Sequence, residues 1–391
     1  MDESELEQLR QQAQAAFKQG NFSKAVQVQQ QIVDATGKQN LHDMHGLGFY
    51  YFMQRAYPEA AEIFRYIHAQ DPNYQLIDKN LGISLLRIGE AEQAIPYCLK
   101  ALEKAPEDLV TLSVLADAYG KIEDRENTRK YGERALTLRD QQARENATVY
   151  PLPDSPPKPF DGTQPERNII AFTLFGKYPL YHIGAIQNAD MAPVIYPGWR
   201  CRFYCSESVP KEVTEQLAYR GAEIITMPKA ERPTDALFWR FLVMNDKNID
   251  RFLIRDCDAC VNVRERVAVD EWLQSDKYFH LMRDYPSHSD LMLAGLWGGV
   301  AGILPELTEL LKGFSYNPYQ GVRSADQLFL GDHIWPTISQ SCMSHDSNFR
   351  VFGARDFPAA GVLQSGRHVG DNDVIARKLE LDKQTTPASK E

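Results

Sequence analysis

The chain has 391 residues, 43% of them apolar and 25% charged. That length and composition suit two or three soluble domains with cores of their own. The formal charge of −10 gives no electrostatic support to a nucleic-acid partner. No apolar run approaches the roughly 20 residues that cross a bilayer, and the acidic start Met1-Asp2-Glu3-Ser4-Glu5 lacks the basic and apolar regions of a signal peptide. The expected location is the cytoplasm, with any membrane association made through a partner.

Six cysteines stand at 98, 201, 205, 257, 260 and 342. Cys257-x-x-Cys260 has a zinc-like spacing, with Cys201-x₃-Cys205 as its conceivable complement. The first pair straddles two aspartates and the second lies in a strand-like run, so buried thiols are the expectation.

Residues 1–140 repeat. Ala25, Ala60, Ala94 and Thr128 recur at 34- to 35-residue intervals, each a few residues after a bend such as Gly20-Asn21, Ala56-Tyr57 or Gly89-Glu90. Helix stops such as Asp71-Pro72 and Ala105-Pro106 close the units. The array resembles the tetratricopeptide repeat (TPR), in which small residues sit where two helices of each unit cross. The fourth unit, Lys121-Ile122-Glu123-Asp124, departs most and reads as a polar cap. The resemblance implies an α-solenoid whose concave face binds a protein or peptide; internal packing or self-association is the alternative.

Residues 141–167 carry Pro151, Pro153, Pro156, Pro157, Pro159 and Pro165, a density that sustains neither helix nor central strand. They read as a linker. Residues 373–391 are polar and expected to be disordered. Between these lies a domain over 168–372. Strand-like runs at Ile169–Leu174, Cys201–Cys205, Ala222–Met227 and Phe252–Arg255 alternate with helical stretches near Leu180–Ala189 and Lys211–Tyr219. A further helix is expected from the capping pair Thr234-Asp235, with Leu237, Phe238, Phe241 and Leu242 on one face. Such alternation argues for an α/β domain with a largely parallel sheet.

The fourth strand runs directly into Asp256-Cys257-Asp258. Residues i and i+2 of an extended segment point the same way, so two carboxylates converge at a strand's carboxyl end. Hard cations such as Mn²⁺ or Mg²⁺ suit this pair and bring substrate phosphates with them. Two solvated loop aspartates are the plainer reading.

With these parts in order, residues 168–372 resemble a nucleotide-sugar glycosyltransferase of the GT-A type, a Rossmann-like fold with a metal-holding DxD after its fourth strand. The resemblance implies transfer of a sugar from a nucleotide diphosphate, UDP-linked by default. Asp256 and Asp258 match the DxD, and Thr173 and Phe175 fall where the nucleoside binds. Arg240 falls where a basic residue meets the donor. Arg283 is a candidate to neutralise diphosphate, and Asp284 to touch donor sugar or acceptor. In Ala294-Gly295-Leu296-Trp297-Gly298-Gly299 the glycines permit close approach of a ligand and Trp297 offers a face for a sugar ring. Ser324-Ala325-Asp326-Gln327 is similar to the Asp-Gln element of such enzymes, with Asp326 as general base or sugar-orienting carboxylate. His345 is the expected third metal ligand and His368 the runner-up.

The fold class expected is thus an α-solenoid followed by a GT-A-like α/β domain. The expected acceptor is a protein recruited by the array; a polysaccharide or glycolipid acceptor is an alternative. So are a TPR scaffold with an inactive transferase-like domain, and a phosphoester or nucleotidyl enzyme built on the same carboxylates.

Overall fold

The computed structural model describes residues 2–377 apart from 146, 231, 233, 317–324, 365, 373, 374 and 376. The expected polar tail therefore falls largely outside the described residues, as does Ser324. The chain divides into two compact units, Met1–Ala135 and Leu136–Glu391.

The first unit is a TPR-like array of antiparallel helices: α1 (Glu3–Lys18), α2 (Phe22–Thr36), α3 (Leu41–Gln54), α4 (Tyr57–Gln70), α5 (Ile77–Arg87), α6 (Ala91–Lys104), α7 (Leu109–Lys121) and the first half of α8 (Arg125–Glu145). The small residues of the repeat are where close crossing requires them. Ala25, Ala60 and Ala94 are fully buried and Thr128 nearly so. A Cβ on Gly82 would stand 2.4 Å from Cys98 Sγ and 3.3 Å from Ala94 O. Side chains satisfy the first amides of several helices: Asp2 caps α1, Asn21 caps α2, Asn40 caps α3 and Asp108 caps α7. Within each pair the bend is left-handed at Gly20, Arg55, Gly89 and Glu123 (φ 74°, 67°, 86° and 61°). In the second and fourth units this position holds Arg55 and Glu123, so Ala56 is not the bend residue its alignment suggests.

The second unit is built on a seven-stranded sheet. Its strands are β1 (Asn168–Leu174), β2 (Arg200–Ser206), β3 (Glu223–Met227), β4 (Arg251–Ile254), β5 (Phe279–Arg283), β6 (Trp297–Val300) and β7 (Cys342–Asp346), in the order β3-β2-β1-β4-β6-β5-β7. β1 pairs in parallel with β2 and β4, and β2 with β3. β6 runs against both β4 and β5, while β7 is parallel to β5. The helices α9 (Pro179–Ile195), α10 (Lys211–Tyr219) and α11 (Val263–Leu273) are followed by the short α12 (Leu307–Lys312), α13 (Ala325–Phe329) and α14 (Trp335–Ile338). The main core joins Phe172, Phe203, Leu253, Trp272 and Met343 from the sheet and α11 with Ala185, Ala189 and Leu217 from α9 and α10.

Two expectations change. The segment after Thr234 is a 3₁₀ helix over Asp235–Asn245, and Thr234 makes no side-chain cap bond. With three residues per turn, Phe238, Phe241 and Met244 form one line and Trp239 lies beside it, all buried, so apolar residues on two faces favour the tighter winding. The proline-rich segment is also no free tether. Helix α8 continues through Glu145, and beyond it Tyr278 Oη donates to Ser155 O at 2.7 Å, Arg251 donates to Lys158 O, Phe160 stacks on Trp199 at 5.5 Å, and Asn168 Nδ2 donates to Asp161 O at 2.8 Å. Prolines need no amide partners, so carbonyls and one ring carry much of the hold, with Tyr150 N donating to Thr337 Oγ1 at 3.1 Å and Arg167 pairing with Asp250 at the two ends.

Candidate functional site

The strand order reverses at β1: β2 and β3 lie to one side, β4 and the rest to the other. In an open α/β sheet the crevice beyond the carboxyl ends at such a point takes the ligand. Here it lies between the segments that follow β1 and β4.

Strand β4 ends at Ile254, and the chain stays beside β1 for one more bond, Arg255 N to Ala171 O at 3.1 Å. It then turns, with Ala259 N reaching Asp256 O at 3.4 Å. The carboxylate pair thus stands on a turn rather than on the extended strand expected. The inward residue is Cys257, whose thiol donates to Thr173 O at 3.3 Å; Asp256 and Asp258 flank it half-exposed. Packing is close on two sides. A Cβ on Gly295 would lie 2.0 Å from Asp256 Oδ2, and one on Gly184 would lie 1.8 Å from Cys257 O.

Arg240 organises the site. Its backbone N–H donates to Thr173 Oγ1 at 3.0 Å and its Nη1 to Arg255 O at 3.2 Å and to the Asp256 carboxylate. Its Nη2 donates to Asp326 Oδ2 at 2.7 Å. Four sequence candidates, Thr173, Arg240, Asp256 and Asp326, are therefore linked by direct hydrogen bonds. The guanidinium is buried; burial works against its charge, but Asp256 and then Asp326 outweigh that and raise its pKa. Asp326 is only 4% exposed, and burial raises its pKa while Arg240 pulls the other way. Sealed beneath Arg240, this carboxylate is placed to hold the arginine rather than to meet a substrate hydroxyl. Phe175, the first residue beyond β1, is 37% exposed.

The remaining candidates are engaged elsewhere. Arg283 is fully buried against Asp346 (2.6 Å) and Leu291 O (2.9 Å), which leaves no face for a diphosphate. Asp284 takes both Arg264 nitrogens at 2.8 Å, Ser347 Oγ and Val369 N at 2.9 Å, so its oxygens are committed to tying three segments together. Trp297 is fully buried on β6, edge-on to Phe252 at 5.2 Å and near Phe241 at 5.8 Å, and offers no ring to a sugar. The glycines beside it admit Asp256 (Gly295), Phe252 O (Gly298) and the Phe279 ring (Gly299), not a ligand. His345 points Nδ1 at His280 Nε2 (2.8 Å) and Nε2 at Glu271 Oε2 (3.2 Å), so both its nitrogens are occupied away from the aspartate pair. The runner-up His368 meets Val369 O through Nδ1 at 3.0 Å. Among the described residues no group of three or more His, Cys, Asp and Glu side chains is placed to hold a metal. No disulfide joins the six cysteines among the described residues, and burial pushes Cys201 and Cys205 up to about 12.

Two participants had no distinct signal. Gly295 matters through the gap it leaves for Asp256, which only the fold reveals. Arg264, two residues into α11, is the partner that withdraws Asp284 from chemistry.

No protein-family model matches this chain, and no curated protein sequence matches it. Solved structures do. A MamA fragment from Desulfovibrio magneticus RS-1 is 17% identical, with 35% of this chain and 81% of its own covered and a TM-score of 0.32. MamA of AMB-1 is 21% identical over 37% of this chain and 79% of its own, with a TM-score of 0.32. A mutant O-GlcNAc transferase of Thermobaculum terrenum is 20% identical over 64% of this chain and 45% of its own, with a TM-score of 0.38. No helix among the described residues is long and apolar enough to cross a membrane.

Proposed function

We propose that the second unit is a GT-A-type glycosyltransferase that moves a sugar from a nucleotide diphosphate, UDP-linked by default, to an acceptor recruited by the helical array. The observation that carries this reading is the half-exposed pair Asp256 and Asp258 at the sheet's switch point, with Asp256 held by Arg240. A dinucleotide or phosphate site of the glycine-rich kind would call for closely spaced glycines after β1. The segment Leu174-Phe175-Gly176-Lys177 has one.

The residues suit Mn²⁺ or Mg²⁺. Such ions take one or two carboxylates and complete their shell with phosphate oxygens and water. Asp256 offers its second oxygen beside Gly295 while the first is held by Arg240, and Asp258 follows on the same turn. Neither His345 nor His368 is placed to join the pair as a third ligand, so phosphate oxygens and water would complete the shell. When bound, the ion would act as a Lewis acid on the leaving diphosphate. The protein's own part is to fix Asp256 through Arg240, to seat the nucleoside along Thr173–Phe175, and to close the floor of the crevice with the buried Cys257 bonded to Thr173 O.

A thermal-shift screen of nucleotide sugars with and without Mn²⁺ tests this, because a true donor stabilises by mass action. One nucleotide family should raise Tm only with the metal, and Asp258→Ala should abolish that rise. Equal stabilisation without metal would remove the role given to the pair. Mass spectrometry of candidate proteins and glycans after incubation with the donor separates the acceptor classes. Release of pyrophosphate in place of a nucleoside diphosphate would indicate nucleotidyl transfer.

A further inference from the structure

The last ten residues of α8, Leu136–Glu145, belong to the second unit and are pinned there. Asp140 accepts from Trp335 Nε1 at 2.7 Å, and Arg144 Nη2 donates to Ser339 Oγ at 2.9 Å. Arg139 reaches further towards the site. Its Nη1 lies 3.3 Å from Asp290 Oδ1, and Asp290 Oδ2 accepts from Gln327 Nε2 at 2.9 Å. Asp290 therefore spans α8 and α13 with one oxygen on each.

We propose that Arg139 is a positioning residue: through Asp290 and Gln327 it holds α13 so that Asp326 keeps Arg240, and with it Asp256, in place. The proposal rests on the functional reading above for its consequence on catalysis, but not for the geometry itself. Helix α13 has five residues and runs directly into a π-helical turn (Leu330–Ile334) and α14, with Phe329 anchored among Phe238, Phe241 and Phe314, so its polar side chains set its orientation over the site. Two of them do so, Asp326 on Arg240 and Gln327 on Asp290. The Arg139–Asp290 pair is partly shielded, at 21% and 34% exposed, so it retains more strength than a free surface pair. Removing Arg139 leaves Asp290 free to turn to solvent, and Gln327 loses a fixed acceptor.

Hydrogen exchange on the full chain reads this directly. In Arg139→Ala, amides over 325–334 should exchange about fivefold faster, the effect of losing one well-formed partly shielded pair. Arg139→Lys should restore most of the protection, since an ammonium still meets one carboxylate oxygen. Arg144→Ala, which cuts a neighbouring contact of the same helix, should leave these amides unchanged. With a donor and acceptor in hand, Arg139→Ala should raise the donor KM, and higher Mn²⁺ should restore it, while Arg144→Ala should leave it as it was. Unchanged exchange over 325–334 in Arg139→Ala overturns the proposal, as does an equal rise in Arg144→Ala. If exchange rises as expected while the wild-type chain binds no nucleotide sugar, the positioning role stands and the transferase reading fails.

Discussion

Arg240→Met is the substitution that most directly probes the centre of the second unit. Methionine fills much of the arginine's volume and leaves two carboxylates without their cation. Their environments differ, and the difference sets the magnitude. Asp256 is 45% exposed and can be solvated, so its loss of a partner costs under about 1 kcal/mol. Asp326 is 4% exposed and becomes an uncompensated buried charge, which costs roughly 3–5 kcal/mol. For a unit of this size each kcal/mol moves Tm by about 2–4 °C, so a fall on the order of 10 °C is expected. All five tryptophans lie in the second unit, so their fluorescence follows its unfolding without interference from the helical array.

The same reasoning fixes a second variant and a pH dependence. Arg240→Met/Asp326→Asn removes the stranded charge and should recover more than half of the lost stability. In the single variant Asp326 has a folded pKa raised above its unfolded value. Its relative stability is therefore greatest at low pH and is lost as pH rises through the folded pKa, so the deficit should be smaller at pH 5 than at pH 8. A single variant that loses under 1 kcal/mol, or a double variant no better than the single, would refute the picture of Arg240 as the counter-charge of a buried carboxylate.

Three other outcomes follow from the packing. Burial holds His280 and His345 below the ordinary imidazole range and pushes His288 down to about 3, so the unfolded chain takes up protons that the folded one refuses. Stability followed by tryptophan fluorescence in urea should be level above about pH 7.5 and fall below about 6.5, approaching ~4 kcal/mol per pH unit if all three contribute; a level profile down to pH 5 would contradict this. Gly295→Ala places a Cβ 2.0 Å from Asp256 Oδ2, so the metal-dependent shift with the donor should disappear while the tryptophan transition persists; an unaltered shift would show that Asp256 need not stand there. Gly82→Ala crowds Cys98 Sγ and should destabilise the array by roughly 1–3 kcal/mol in far-ultraviolet circular dichroism melts; Cys98→Ala should relieve much of it, and no relief would locate the strain elsewhere.

The repeat array and the strands up to β4 are legible in the sequence because their signals are local. Small residues at a fixed period, apolar runs of strand length and cap residues each act within a few positions. The pairing of Arg240 with Asp256 and Asp326 is not local: it joins residues 16 and 86 positions apart, and no pattern near Arg240 separates a buried clamp from a solvated arginine. The same holds for Arg283, Asp284 and His345. Each has the residue type for chemistry, and each is consumed by a partner, Asp346, Arg264 or His280, brought near by the sheet order. Trp297 shows the reverse error. Its flanking glycines read as a sugar platform, but they serve the close pairing of β6 with β4 on one side and β5 on the other, which buries the indole.

What the structure adds is the hold on Asp256. It gives one oxygen to Arg240 and keeps the other beside Gly295. A carboxylate held through one oxygen is oriented before any cation arrives, so less of the binding free energy is lost to ordering it. The orienting arginine is itself held by a carboxylate that solvent barely reaches, so its position depends on α13 more than on salt or on the ligand. Displacing α13 should therefore disturb Asp256 before Asp258. Asp326→Asn and Asp258→Ala should consequently differ in kind: the first weakening metal-dependent donor binding in a way that higher Mn²⁺ restores, the second beyond rescue by metal at any concentration the fold tolerates. Equal rescue of both would show that the hold of Arg240 on Asp256 does not set the difference between the two variants.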